Sequence, residues 1–130
     1  MILGISGTRT PSISYNEFKL KLLCIQNVTE IVSGGARGID SYAENYAEEF
    51  NIPIKVFKPE YPKYGRSAPL VRNKQIVDYS DKVLCFPSES SIGTIHTINY
   101  AKSKNKLYNI IEIWMRELSL IILRKHTQMS

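Results

Sequence analysis

Ser33-Gly34-Gly35-Ala36-Arg37-Gly38-Ile39-Asp40 is the stretch whose reading decides the fold. It joins a short β-prone run, Glu30 to Ser33, to the most regular amphipathic pattern in the chain. Ile39, Tyr42, Ala43, Tyr46, Ala47 and Phe50 recur at helical spacing and form one apolar stripe. A strand that passes through a glycine turn straight into a helix is the opening of a βαβ unit. Glycines there let the backbone turn sharply, approach a ligand closely and aim several N–H groups at one anion. The helix start adds the positive end of its dipole. The same residues also suit a tight strand-to-helix turn in which Asp40 caps first-turn N–H groups.

Working outward, the same alternation continues on both sides. Residues 2–5 read as strand one, and Ser14-Tyr15-Asn16-Glu17 is a capping-box pattern opening a helix to about Gln26. Residues 54–57 read as strand three, 58–68 as a loop rich in Pro, Tyr and Gly, and Pro69 to about Tyr79 as a helix. Lys82 to Phe86 is strand four, 87–92 a loop, 93–104 a helix and 107–111 strand five. The pattern beyond Trp114 fits either a helix or an added strand. The expectation is an α/β, Rossmann-like domain over residues 1–130. Its sheet is mainly parallel and five-stranded, in the order 3-2-1-4-5, with helices on both faces. The loops at 6–12, 33–38, 58–68 and 87–94 then open on one edge, where ligands of such sheets bind.

Composition sets the outer limits. A chain of 130 residues, 43% hydrophobic and 22% charged, buries a core without staples. The apolar run 118–123 is too short to span a bilayer, so no membrane partner is expected. The start Met-Ile-Leu-Gly-Ile-Ser has no basic n-region before a long apolar run, from which a cytoplasmic location is expected. Cys24 and Cys85 read as reduced core residues. His and Cys do not cluster, so neither a metal nor a cofactor is expected. The net charge of +5 suits a polyanion or a phosphate-bearing small ligand, and the basic residues are scattered. The apolar stretch 110–123, with Trp114, exceeds what a minimal Rossmann unit needs and suggests a homodimer or higher oligomer.

A second loop repeats the first. Pro87-Ser88-Glu89-Ser90-Ser91-Ile92-Gly93-Thr94 follows strand four and offers hydroxyls and N–H groups at another helix start. Arg72-Asn73 lies in the first turn of the helix that begins at Pro69. The preceding Tyr61-Pro62-Lys63-Tyr64-Gly65-Arg66 supplies aromatics for stacking and cations for phosphate.

Ser6-Gly7-Thr8-Arg9, Gly34-Gly35-Ala36-Arg37-Gly38-Ile39-Asp40, Lys63-Tyr64-Gly65-Arg66-Ser67-Ala68, Arg72-Asn73, Asp81 and Gly93-Thr94 together resemble the SLOG superfamily. The nearest likeness is to its YspA-like branch of small stand-alone domains, over roughly residues 1–110. The superfamily includes the DNA-processing protein DprA and the Lonely-guy phosphoribohydrolases. The resemblance implies a nucleotide-type ligand at the sheet edge, and often a homo-oligomer. Arg72, nine residues before Asp81, matches the spacing of a functional Lonely-guy arginine. Where those enzymes carry a catalytic Glu, this chain has Thr97. A carboxylate stabilises the oxocarbenium-like state of N-glycosidic cleavage. Arg72, Asp40 and Glu89 are therefore the remaining catalytic candidates.

The reading that results is a domain that binds or sequesters a nucleotide or nucleotide-derived small molecule. The expected ligand residues are Ser6, Gly7, Thr8, Arg9, Gly34, Gly35, Ala36, Arg37, Asp40, Tyr64, Arg72, Asn73, Pro87, Ser90, Ser91, Gly93 and Thr94. A nucleotide N-glycosidase or transferase is the alternative. Single-stranded nucleic-acid binding is the third reading, suggested by the +5 charge but without clustered basic-aromatic stripes.

Overall fold

Strand and helix alternate as the hydrophobic periods dictate. In the computed structural model, which describes residues 1–88 and 91–111, the elements are β1 (Ile2–Gly7), α1 (Tyr15–Leu23), β2 (Glu30–Ser33), α2 (Ile39–Glu49), β3 (Ile54–Val56), α3 (Tyr61–Tyr64), a 3₁₀ turn (Gly65–Ser67), α4 (Ala68–Tyr79), β4 (Lys82–Phe86), α5 (Ile92–Ser103) and β5 (Leu107–Ile110). All four strand pairings are parallel, and the sheet order is β3-β2-β1-β4-β5, as expected from the sequence.

The two faces of the sheet are built differently. Leu3, Ile5, Ile31, Leu84 and Phe86 point to one face, where α1 and α2 close over them with Phe18, Leu22, Ile39, Ala43 and Tyr46. Phe18 is fully buried, its ring centroid 5.1 Å from that of Phe86 and 5.6 Å from that of Tyr42. The capping box holds as read, since Ser14 Oγ accepts from the Glu17 N–H at 3.2 Å. On the opposite face the alternating residues of β4, Val83 and Cys85, meet Val77 of α4 and Ile98 and Ala101 of α5. There α4 lies close on β1 because Gly4 has no side chain; a Cβ would run into Ser80 and Ile76.

Three details depart from the sequence reading. The stretch 58–68 is not an open loop, because Tyr61–Tyr64 forms a helical turn with Pro62 near its start, where a missing N–H costs nothing. It runs directly through the 3₁₀ turn into α4. Cys85 is fully buried, and burial pushes its thiol up to about 12, whereas Cys24 is exposed; both are free. Glu89, Ser90 and most of the apolar C-terminal stretch, Trp114 included, lie outside the described residues. Among the described residues no helix is long and apolar enough to cross a membrane.

Candidate functional site

The loops leaving β1, β2 and β4 meet at the carboxyl edge of the sheet, and glycine is what lets them meet. Gly38 has φ 79°, and a Cβ on it would stand 2.6 Å from Arg9 Cα and 2.5 Å from the Thr8 carbonyl oxygen. Only glycine admits both that conformation and that approach. Thr8 ties the three elements together. Its carbonyl accepts from the Ile39 N–H at 3.1 Å, and its own N–H donates to the Phe86 carbonyl at 2.9 Å. An N–H at the start of α2 is thus satisfied by the protein itself. Gly35, with φ 71°, has no room for a side chain either, since its Cβ would sit 2.8 Å from Val56 Cγ1. The Ala36 N–H donates to Asp40 Oδ2 at 3.1 Å. The glycine loop is therefore a self-supporting strand-to-helix turn, with Asp40 holding an N–H just before the helix rather than in its first turn.

Arg72 and Asn73 fasten this turn to the loop after β4. Arg72 is 7% exposed; its Nη1 donates to the Gly34 carbonyl at 2.6 Å and its Nε to Asn73 Oδ1 at 2.9 Å. Asn73 Nδ2 in turn donates to the Gly93 carbonyl at 3.3 Å. Gly34 must be glycine because a Cβ would collide with the Arg72 guanidinium. Burial lowers the Arg72 pKa, Asp40 opposes that shift, and Arg9 adds to it. Burial pushes the Asp40 carboxyl up to about 6, against the pull of the Ala36 N–H and the Arg72 charge. Arg72 thus holds two loops, one through Nη1 and one through Nε and Asn73, while lining both hollows at this edge.

Two adjoining hollows open above this framework. One, of about 450 Å³, is lined by Ser6, Gly7, Thr8 and Arg9 from the β1 side, by Ala36, Arg37 and Asp40 from the β2 side, and by Arg72, Asn73, Ser91, Gly93 and Thr94. The other, of about 600 Å³, is lined by Gly34, Gly35, Lys58 and Pro59 and shares Arg9, Ala36, Arg37 and Arg72 with the first. Side by side, with a shared wall, they line the carboxyl edge between β3 and β4 and are together called the groove. The exposed cations Arg9, Arg37 and Lys58 border it.

Most of the residues read from the sequence therefore converge, but not all. Tyr64 lines neither hollow and lies under Lys63, whose Nζ is 5.1 Å from the ring centroid. Pro87 is buried and lines neither hollow. Lys58 and Pro59 were not singled out, although Lys58 follows the run read as strand three and so had to emerge at this edge. Leu70 and Ile92, exposed apolar residues on the rim of the first hollow, were also missed.

Thr97 lines neither hollow, whereas Asp40, with its carboxylate, lines the first. Thr97 is fully buried and its hydroxyl donates to the Gly93 carbonyl at 3.1 Å, so a hydroxyl spent on its own helix stands where a catalytic carboxylate is expected. Among the described residues, no three His, Cys, Asp or Glu side chains gather in a metal-binding group.

No family model matches the chain. Over 78 residues it is 33% identical to Gene 61 protein of Mycobacterium phage D29, an alignment covering 55% of this chain and 62% of that protein. The fold is similar to that of DNA processing protein A from Helicobacter pylori, with a TM-score of 0.68 and 21% identity over 86% of this chain and 65% of that one. In both comparisons the chain spans less than two thirds of its relative's length. The solved structure concerns single-stranded DNA binding by that DNA processing protein. The expectation of a sequestered small nucleotide is corrected accordingly, since the solved structure of similar fold concerns single-stranded DNA and not a small nucleotide. The architecture that the sequence implied is the one this chain shares with DNA processing protein A.

Proposed function

We propose that the chain binds single-stranded nucleic acid along the groove at the carboxyl edge of its sheet, as a member of the SLOG superfamily and of its YspA-like branch. The observation that carries this reading is the continuity of the two hollows through Arg9 and Arg37, with Lys58 at the far end. A row of exposed cations along an elongated, rigidly held groove suits a chain of phosphates better than a single one. The hydroxyls of Ser88 and Ser91, hydrogen-bonded to each other at 2.7 Å, lie at the β4 end, where they offer polar contacts to the backbone. Tyr61, 54% exposed on α3 and close enough to Arg72 to influence its charge, offers a ring for base stacking. The fold shared with a single-stranded DNA-binding protein supports the same reading.

Fluorescence anisotropy with labelled oligo(dT) tests it. Saturable binding is expected, weakening steeply between about 50 and about 200 mM salt as released counterions are replaced. Duplex DNA should bind more weakly, and thymidine monophosphate should compete poorly. No saturable binding, or full displacement by the mononucleotide at comparable concentration, overturns the proposal.

A further inference from the structure

The groove continues onto a surface with its own charge pattern. Leu70 of α4 and Ile92 of α5 stand on the groove rim, 41% and 80% exposed. One turn further along each helix come Lys74 and His96, and a turn beyond those come Asp78 and Tyr100. Lys74 and Lys104 both approach Tyr100, each Nζ 5.6 Å from the ring centroid. The Tyr100 hydroxyl donates to the Asp78 carboxylate at 2.9 and 3.0 Å, which fixes the ring; Asp78 keeps its charge, against Lys74 and Lys104 at the same ring. His96 adds no charge, because burial and the neighbouring Lys74 lower its pKa. From Ser91 to Ile111 the chain contains no acidic residue and carries Lys102, Lys104 and Lys106. The opposite layer is the reverse: α2 carries Asp40, Glu44, Glu48 and Glu49 and no basic residue.

We infer that a single strand longer than the groove leaves it past Leu70 and Ile92 and follows the seam between α4 and α5, where Lys74 and Lys104, both held by the Tyr100 ring, take its phosphates. This rests on the proposed function and adds direction to it. The acidic α2 repels a strand on the other side, while the α4–α5 seam attracts one. From Ile92 to Lys104 the helix rises about 18 Å, enough for several nucleotides. Tyr100 acts as a positioning residue: cation–π attraction to a ring tethered by Asp78 keeps both ammonium groups at a defined place.

Binding of oligo(dT) of about 6 and about 20 nucleotides separates the seam from the groove. Lys74→Glu/Lys104→Glu, both at exposed positions, should weaken the 20-mer about tenfold and lower the steepness of its salt dependence, while changing the 6-mer less than about twofold. Lys21→Glu on α1 is the control for altered charge elsewhere and should leave both affinities unchanged. Tyr100→Phe, which frees the ring from Asp78, should weaken the 20-mer alone by a smaller factor. Equal losses for the two lengths, or no loss for the 20-mer, overturn the seam and leave the groove in place. Absence of wild-type binding to both lengths overturns the groove reading and the seam with it.

Discussion

The two faces of the sheet divide the work between them. The α1–α2 face holds the large aromatic core, in which Phe18, Tyr42, Tyr46 and Phe86 pack ring to ring, and its helix α2 exposes Glu44 and Glu48 beside the Lys19–Glu49 pair. The α4–α5 face has a smaller core of Val77, Val83, Cys85, Ile98 and Ala101, but from it come the residues that hold the groove loops and the lysines beside them. The thicker core lies on one side and the loop-holding residues on the other, while the groove's own cations, Arg9, Arg37 and Lys58, come from the loops between. Loop-positioning side chains do not need a thick apolar layer beneath them; they need defined carbonyl partners.

That division can be broken most directly at Phe18. Phe18→Ala should cost about 3–5 kcal/mol of stability by urea unfolding, while Val77→Ala on the other face should cost about 2 kcal/mol. Similar losses at the two positions would erase the distinction between a thick and a thin core. Next comes Arg72→Ala, expected to cost about 3 kcal/mol because it strips the Gly34 carbonyl and the buried Asp40 of their partner. It should also weaken oligo(dT), and Arg72→Lys should restore only part of either loss. Lost affinity with unchanged melting would make Arg72 a direct ligand contact after all.

A pH titration sharpens the comparison within the site. The folded Asp40 carboxyl takes up its proton at about 6, the unfolded one near its ordinary 3.8. Below both values the two states bind the proton alike, and the favourable contribution to the fold is fully present. It is lost as pH rises from about 4 through about 6, an effect of about 3 kcal/mol when complete. Asp40→Asn should remove that slope from a plot of unfolding free energy against pH; a slope that persists assigns it to another group.

The smallest effect on the fold is expected from the groove's own cations. Arg9→Ala/Arg37→Ala should reduce oligo(dT) affinity about ten- to hundredfold, or about 1.4–2.8 kcal/mol, with the melting temperature nearly unmoved. A large drop in melting temperature would mean that these exposed arginines support the fold.

The fold was legible because its periods are unmixed. The α2 stripe and the short β-prone runs admit one βαβ arrangement, and handed crossovers then order the strands. Tyr61–Tyr64 was missed because Pro62 and Gly65 punctuate it as they would a loop. The edge at which these residues gather was legible; their contacts with one another were not. Spacing locates Arg72 at the sheet edge; only the folded chain reveals that the Gly34 carbonyl lies within reach of its guanidinium. The clustering of Lys74 and Lys104 on Tyr100 was hidden for a similar reason, since Lys74 comes from α4 and the other two from α5 and its end, with β4 between them in the chain.

The anchoring of Gly34 and Gly93 by consecutive residues of α4 also limits how this protein can be re-engineered. Between Ser33 and Gly38 the backbone is pinned at nearly every step, so an inserted residue would pull the Gly34 carbonyl off Arg72 or push Gly38 into Arg9. On the β4 side, Ser88 and Ser91 are tied to each other, the Ser91 N–H donating to the Ser88 carbonyl at 3.2 Å and the Ser88 N–H to Ser91 Oγ at 2.8 Å, so added length there would part a second local link. Changes meant to alter what the groove accepts therefore belong in its exposed side chains, Arg9, Arg37 and Lys58, and not in the length of the glycine turn that first disclosed the fold.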